Sequence, residues 1–579
     1  MALPSALPVV NPMATLSQPR QRHPVGPALA QVLAQFDSLR QFTVPRSYPL
    51  TATFLILVSM CLSLAYILFL CPLDLAADEA HYWEWSLNLD GCYYSKGPLV
   101  AWLIRASCEC FGRLSLAWTG SLEAAVRLPA VACHGAILAG SYVLSAGVLR
   151  SPRLGLAVVI VEATTPIVRV GAVLMTIDPP LLACWCWALI CVYKATDDET
   201  EKRNGTVWWL GAGLFTALGT LAKFTMALFP LAVVAFLAVH RRDAIRKAGL
   251  QILLAGSLLG WAPIIEWNLR HDWASFRHVS GQVGADQLAG LKLHWLGPAA
   301  FLGAQAGMLF GGWLPAFLAS GWRFRPSQCG SRGMLLVWWC SVPVWLLFFL
   351  ASIVKSGQPN WPAPAYLGGV VLAIAWVFEQ LAGGRRRAVL IALCSTLAAG
   401  LVATLQVHFP GLIRPALARL VSPPTPTRPL PIRDLDITAR LSGWRRLAAE
   451  VDVVRANVLA ETGEAPVLAG THWTIPGHLR FYCAGRPDAY SVGLPNRTDR
   501  HSQYDFWRPN PVADAQAFRG RTFVVVGELG AEVRAAFDRV EPAIRITHDC
   551  DGIPVAAWSL WICHGYRGFE RIPGLDAGY

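Results

Sequence analysis

Charged side chains are scarce in this chain. Only 15% of its 579 residues are Asp, Glu, Lys or Arg, against about 25% in ordinary soluble domains. That shortage excludes a string of soluble domains, and a mean hydropathy of +0.42 points to a membrane protein. Nucleotide-binding signatures are absent too. There is no Walker A sequence and no strand-linked GxGxxG turn, so neither a nucleoside triphosphate nor a nucleotide-linked donor is expected. Nor is there a His-Glu-x-x-His pair or a matched set of CxxC knuckles, which removes the common zinc patterns. Many of the fifteen cysteines, such as Cys61, Cys184, Cys186, Cys191, Cys340 and Cys394, sit inside apolar runs as small hydrophobes. Cys483, Cys550 and Cys563 lie in a more polar region and leave room for one disulfide outside the cytoplasm.

The net charge is +12, but its distribution argues against nucleic acid. Lys and Arg come in short bursts between apolar runs, not in a single stripe. Runs of spanning length are expected at 51–71, 123–148, 154–174, 178–194, 207–222, 224–239, 248–268, 293–321, 334–353, 361–381 and 387–408. Basic clusters precede the first run and follow every even-numbered one: Arg150 and Arg153, Lys194 to Arg203, Arg241 to Lys247, Arg323 to Arg332, and Arg385 to Arg387. Positive loops stay in the cytoplasm, so about eleven spans with a cytoplasmic N-terminus are expected. Residues 1–48 read as a disordered cytoplasmic tail. Residues 49–410 read as the membrane domain, with an outer loop at 72–122. A Pro-rich linker, "PPTPTRPLP", opens a small α/β domain at 411–579 on the outer face. In it, "GWRRLAAEVDVVRANVLAET" has a helical period, and "APVLAG" and "TFVVVGE" read as buried strands. The expected fold class is thus mainly α, a polytopic helical bundle with a small C-terminal α/β extracytoplasmic domain.

Against this apolar background one stretch stands out, "ADEAHYWEWSLNLDGCYYSKGPL" from Ala77 to Leu99. As a helix, 77–86 puts Asp78, His81, Tyr82 and Trp85 on one face. One reading is dipole compensation by Asp78 and Glu79, with the aromatic residues as interfacial anchors. A metal site of Asp78, His81 and Glu84 fits poorly, because six helical positions turn Glu84 about 120° away. The third reading is an active site at the membrane surface. There Asp78 or Glu79 serves as general base, and Lys96, with His81, holds a phosphate. Asp178 precedes two prolines, which suits either an outer-face acid or a helix start. His271 and Asp272 suit contact with a donor phosphate or acceptor, or a plain polar loop. Gln358 and Asn360 either line a cavity or cap a helix, and Lys223 at a span end can reach the outer face.

"DEAHYWEWSLNLDGCYYSKGPLVAWL" resembles the first external loop of the large GT-C glycosyltransferases that use polyprenyl-phosphate sugars. These include protein O-mannosyltransferases, lipid A aminoarabinose transferases and bacterial family 39 relatives. "TIDPPLLACWCWAL", "LAKFTMALFP", "WNLRHDWASFRHV", "NWPAPAYL", "RLSGWRRLA", "RFYCAGRP" and "HSQYDFW" match the same bacterial group in order, from Thr51 onward. The resemblance implies a sugar transferase without cofactor or required metal. It would take a polyprenyl-phosphate donor within the bilayer and a lipid, glycan or protein acceptor outside the cytoplasm, with inversion of the anomeric centre. It makes Asp78, with Glu79 beside it, the catalytic carboxylate. It makes Lys96 the donor-phosphate partner and Asp178 the second outer-loop acid. His81, Tyr82, His271 and Asn360 are expected around the donor. Two departures bear on the sugar: Lys-Gly-Pro stands where the family has Lys-Pro-Pro, and His81 and Ser95 stand where aminoarabinose transferases carry Arg and an acid. The competing class is a flippase for lipid-linked sugars, which would place ionisable groups near the midplane and show internal repeats.

Overall fold

A computed structural model describes residues 47–284, 293–309, 312–355, 357–425, 428–496 and 501–570. The expected N-terminal tail lies outside these, apart from its last two residues. Among the described residues, seven helices are long and apolar enough to cross a membrane: Ser47–Leu70, Glu123–Val148, Asn204–Ala222, Ala248–Arg270, Arg332–Ala351, Ala363–Ala382 and Arg386–His408. A pair bent by 110°, Gly297–Leu309 with Trp313–Arg323, makes an eighth if counted as one span.

Three other expected runs form shorter or broken apolar helices, for local reasons. The 154–174 run breaks at Thr165, whose extended backbone (ψ 127°) separates Pro152–Thr164 from Pro166–Gly171. Proline favours the first turn of a new helix over the middle of an old one. The run 178–194 forms Asp178–Ala195, which opens on a charge and two prolines. The run 224–239 forms the short apolar helix Phe224–His240.

Small residues bring the helices together. A Cβ built on Gly256 would lie 2.5 Å from Gly213 Cα, and one on Gly260 would lie 2.6 Å from Ala217 O. Asn204–Ala222 and Ala248–Arg270 thus touch backbone to backbone, as small-residue seams allow in membranes. The outer helices Ala77–Leu87 and Leu99–Thr119 sit on this bundle. Their interface holds Tyr82, Trp83, Trp85, Tyr93, Val100 and Ile104, all buried. The aromatic residues that could have anchored the chain at the bilayer surface are instead core.

The C-terminal region contains a six-stranded sheet: β1 (Val467–Gly470), β2 (Ala489–Ser491), β3 (Phe523–Val526), β4 (Phe537–Val540), β5 (Ile544–Cys550) and β6 (Ile553–Tyr566). β1 pairs in parallel with β2 and β3, while β6 runs antiparallel to β3, β4 and β5. The helix Trp444–Thr462 packs its Leu447, Val451, Val454 and Val458 on one sheet face, where Cys483 also lies. Cys563 lies in the cluster on the other face, and all fifteen cysteines are free thiols.

The glycine seam gives a prediction. Gly256→Ala should lower the stability of the detergent-solubilised protein by about 1–3 kcal/mol, the usual cost of overpacking, read as a lower thermal midpoint. An unchanged midpoint would mean that the two helices do not need this close approach.

Candidate active site

The helix Ala77–Leu87 is set by its own first turn. Glu79 accepts the Ala76 N–H at 2.9 Å, but it is fully buried and faces away from solvent. Its carboxylate also accepts Arg127 Nε at 3.1 Å, Arg127 Nη2 at 3.0 Å and the Met175 N–H at 2.9 Å. Arg127 in turn donates to the carbonyls of Leu73 at 3.1 Å and Asp74 at 2.8 Å. Glu79, expected as a catalytic partner of Asp78, is thus placed as the hub of a buried ion pair. It joins the outer helix, the helix Glu123–Val148 and the 175–178 segment.

One residue earlier, Asp78 opens onto a polar cavity of about 260 Å³. His81 and Tyr82 line the same cavity from the next turn. Beyond the helix, the chain doubles back through Tyr93, whose ring stacks on Trp85 at 4.2 Å. This return brings Tyr94, Ser95 and Lys96 to the cavity wall. Gly97 makes the placement possible. A Cβ there would sit 2.1 Å from Leu221 O, so the Lys-Gly-Pro turn lies directly on the end of the Asn204–Ala222 helix.

That helix end supplies Lys223. Its Nζ donates to Asp178 Oδ1 at 2.7 Å, and Asn360 Nδ2 donates to Asp178 Oδ2 at 2.6 Å. Three separated segments therefore meet at one acid. Asp178 is neither an isolated outer-loop acid nor simply a helix start; its carboxylate is committed to this pair. Asp78, His81, Tyr82, Lys96, Asp178 and Asn360 are all brought to one cavity.

His271 is not among the residues lining it. Its ring lies flat on Trp267 at 4.0 Å and 14°, with Nδ1 2.8 Å from Trp267 O. Trp267 Nε1 also donates to Asp90 Oδ2 at 2.9 Å, so this cluster braces the back of the outer loop. Seven residues further on, His278 does line the cavity, with Nε2 3.0 Å from Gln282 Nε2. The sequence carried a signal for it in "WNLRHDWASFRHV", where two histidines compete for one role. Trp473 reaches the cavity from the C-terminal region with no local pattern to announce it, while His501 and Gln503 come from "HSQYDFW", a motif the resemblance marked without a role. Among the described residues, no group of three His, Cys, Asp or Glu is arranged to hold a metal ion.

Behind the cavity, Glu84 is 1% exposed. Tyr504 Oη donates to it at 2.5 Å and Arg480 Nη1 at 3.2 Å. Burial raises its carboxyl to about 7, opposed by the bonds from Tyr504 and Arg480, while Asp488 adds a weaker upward push. The sign of the linkage follows. A raised folded pKa means that the folded state holds the proton more tightly than the unfolded chain. Glu84 therefore favours folding most at low pH, and loses that contribution as pH rises from about 4.5 through 7. Glu84→Gln should flatten the fall in thermal midpoint between pH 5 and 8, a change of at most about 3 kcal/mol. A wild-type slope in the variant would show that Glu84 is not the titrating group.

The sequence of this chain has relatives. Residues 95–267 match the family model described as dolichyl-phosphate-mannose-protein mannosyltransferase. The chain is 29% identical over 322 residues to the lipid A galacturonosyltransferase RgtD of Rhizobium johnstonii. That alignment covers 54% of this chain and spans 63% of the relative's own length. In structure, the chain is similar to ArnT from Cupriavidus metallidurans in its apo state, with TM-score 0.53 and 15% identity over 88% of this chain and 98% of that one. ArnT bound to undecaprenyl phosphate gives TM-score 0.55 and 15% identity, over 89% and 98%. The resemblance carried by the motifs thus extends to the three-dimensional structure, and the chain has the GT-C fold of ArnT.

Proposed function

We propose that the chain is a membrane glycosyltransferase that moves a sugar from a polyprenyl-phosphate donor to an acceptor on the outer face of the cell membrane. One observation carries this reading. The polar cavity abuts an apolar cavity of about 210 Å³, and both are lined by Thr176, Asp178 and Asn360. The apolar cavity runs between helices that include Pro152–Thr164, Trp313–Arg323 and Ala363–Ala382, past Val161, Trp313, Phe317 and Leu367. A ligand with a hydrocarbon tail, an anionic joint and a sugar head matches that order of surfaces. The basic loops favour a cytoplasmic N-terminus, which places the cavity and the sheet outside.

The chemistry follows from the residues at the junction. An acceptor hydroxyl attacks the anomeric carbon from the face opposite the phosphate. Its oxygen forms the new bond, its proton passes to Asp78, and the anomeric carbon–phosphate oxygen bond breaks with inversion. Lys96 stabilises the charge that develops on the departing polyprenyl phosphate. Lys223 is largely neutralised by Asp178, so the two fix the joint's position more than they add net charge. Glu79 holds Asp78's helix in register and takes no proton from substrate. RgtD is named for a galacturonosyl group and lipid A, which puts that donor and that acceptor first in any panel.

In proteoliposomes with polyprenyl-phosphate sugars and envelope acceptors, Asp78→Asn should lower transfer about 10²- to 10⁴-fold. Lys96→Ala should lower it about 10²- to 10³-fold, with both proteins folded. Wild-type transfer by Asp78→Asn would remove its assignment as base. Donor crossing the bilayer with no sugar transferred would favour the flippase reading.

A further inference from the structure

The cavity wall is not built by the membrane helices alone. Trp473, His501, Ser502 and Gln503 belong to the C-terminal region, and all four line it. The region is seated firmly. Gly477 lies where a Cβ would come 3.1 Å from the Ala80 backbone, so the helix Pro476–Tyr482 meets the helix Ala77–Leu87 without side chains between them. The strap before that helix is gripped from both sides. Asp74 Oδ2 accepts the Trp444 N–H at 2.7 Å, the Leu75 N–H donates to Tyr482 Oη at 2.7 Å, and His478 Nε2 lies 3.0 Å from Leu75 O. Gln503, buried, accepts the Tyr94 N–H through Oε1 at 2.7 Å, two residues before Lys96. Trp473 sits with its ring centroid 5.5 Å from that of His81.

The two cavities order the ligand. Thr176, Asp178 and Asn360 line both, whereas Trp473 and His501 line the polar one alone. Past the shared residues, the head of such a ligand lies in the polar cavity, whose wall includes these C-terminal side chains beside Asp78, His81 and Lys96. An indole face suits the C–H groups of a pyranose ring, and an imidazole and an amide suit its hydroxyls.

We propose that the C-terminal domain forms the subsite for the transferred sugar, with Trp473 as the stacking platform and His501 as a hydroxyl-reading group. This rests on the transferase reading for its donor, and it gives this domain a share in sugar choice beside the outer loop that carries His81 and Ser95. Embedding alone does not require the domain to touch substrate; a sugar subsite does.

The test uses the full-length protein in nanodiscs and compares binding of a bare polyprenyl phosphate with its galacturonosyl, galactosyl and mannosyl derivatives. Trp473→Ala and His501→Gln should each weaken the preferred sugar-bearing lipid about three- to tenfold. They should leave bare polyprenyl phosphate unchanged, and His501→Gln should alter the ranking of the sugars. Trp473→Phe should recover most of the loss, which a folding defect would not allow. Equal weakening of the bare lipid, or an unchanged ranking and affinity for every sugar, would overturn the assignment. Sugar-dependent binding that the variants weaken, with no transfer by wild type, would uphold the subsite and overturn the transferase reading.

Discussion

Burying Glu79 with Arg127 strips both ions of hydration, at an effective cost of several kcal/mol each. The cost is met only because every part of the pair is used. Glu79 accepts from Arg127, Ala76 and Met175, and Arg127 reaches on to the carbonyls of Leu73 and Asp74. Two otherwise irregular segments, 71–76 and 172–177, are thereby pinned to one helix end. Asp78 follows from one of these segments and Asp178 from the other. The spacing of the two acids at the cavity is set by a pair that does not itself line it.

Around that anchor the molecule resolves a conflict between two solvents. A lipid-borne donor must keep its tail in hydrocarbon while its anionic joint reaches polar groups. Charge near hydrocarbon is expensive unless paired. The pairing of Lys223 with Asp178, completed by Asn360, is such a solution. It presents polar atoms at the boundary between the two cavities with little net charge. Lys96 lines the same polar cavity, so a phosphate bound at the joint would meet a second cation there. On this view the three-residue cluster defines a location and Lys96 supplies the electrostatics.

Much of this was legible in the sequence, and what was not has physical reasons. Helix period alone put Asp78, His81 and Tyr82 on one face, and the fold keeps them on one cavity. Lys96 was read as a phosphate partner from its residue type, while the resemblance tied Asp178 and Asn360 to the same site, since no local rule links residues so far apart. Period could not separate Asp78 from Glu79, because neighbouring carboxylates in a first turn look alike until the partner is known. That partner, Arg127, lies 48 positions away. His271 and His278 show the same limit: each is a histidine in a polar outer segment, and only the stacking of His271 on Trp267 decides between them. Hydropathy likewise sees one apolar run at 154–174 but not the backbone break at Thr165 that divides it into two helices.

The departure from Lys-Pro-Pro to Lys-Gly-Pro also finds its place. A second proline would carry a ring where Gly97 has no side chain, and even a methyl group there would meet Leu221 O at 2.1 Å. In this chain the loop has descended onto the end of the Asn204–Ala222 helix, the same helix end that extends into Lys223. The glycine therefore does more than relax a turn. It lets the loop bearing Lys96 and the residue paired with Asp178 share one backbone contact, so that the two cations at the cavity are positioned by a common support. A loop kept stiff by two prolines could hold its lysine without that contact. Here the stiffness comes from packing, which ties the position of Lys96 to the integrity of the membrane bundle.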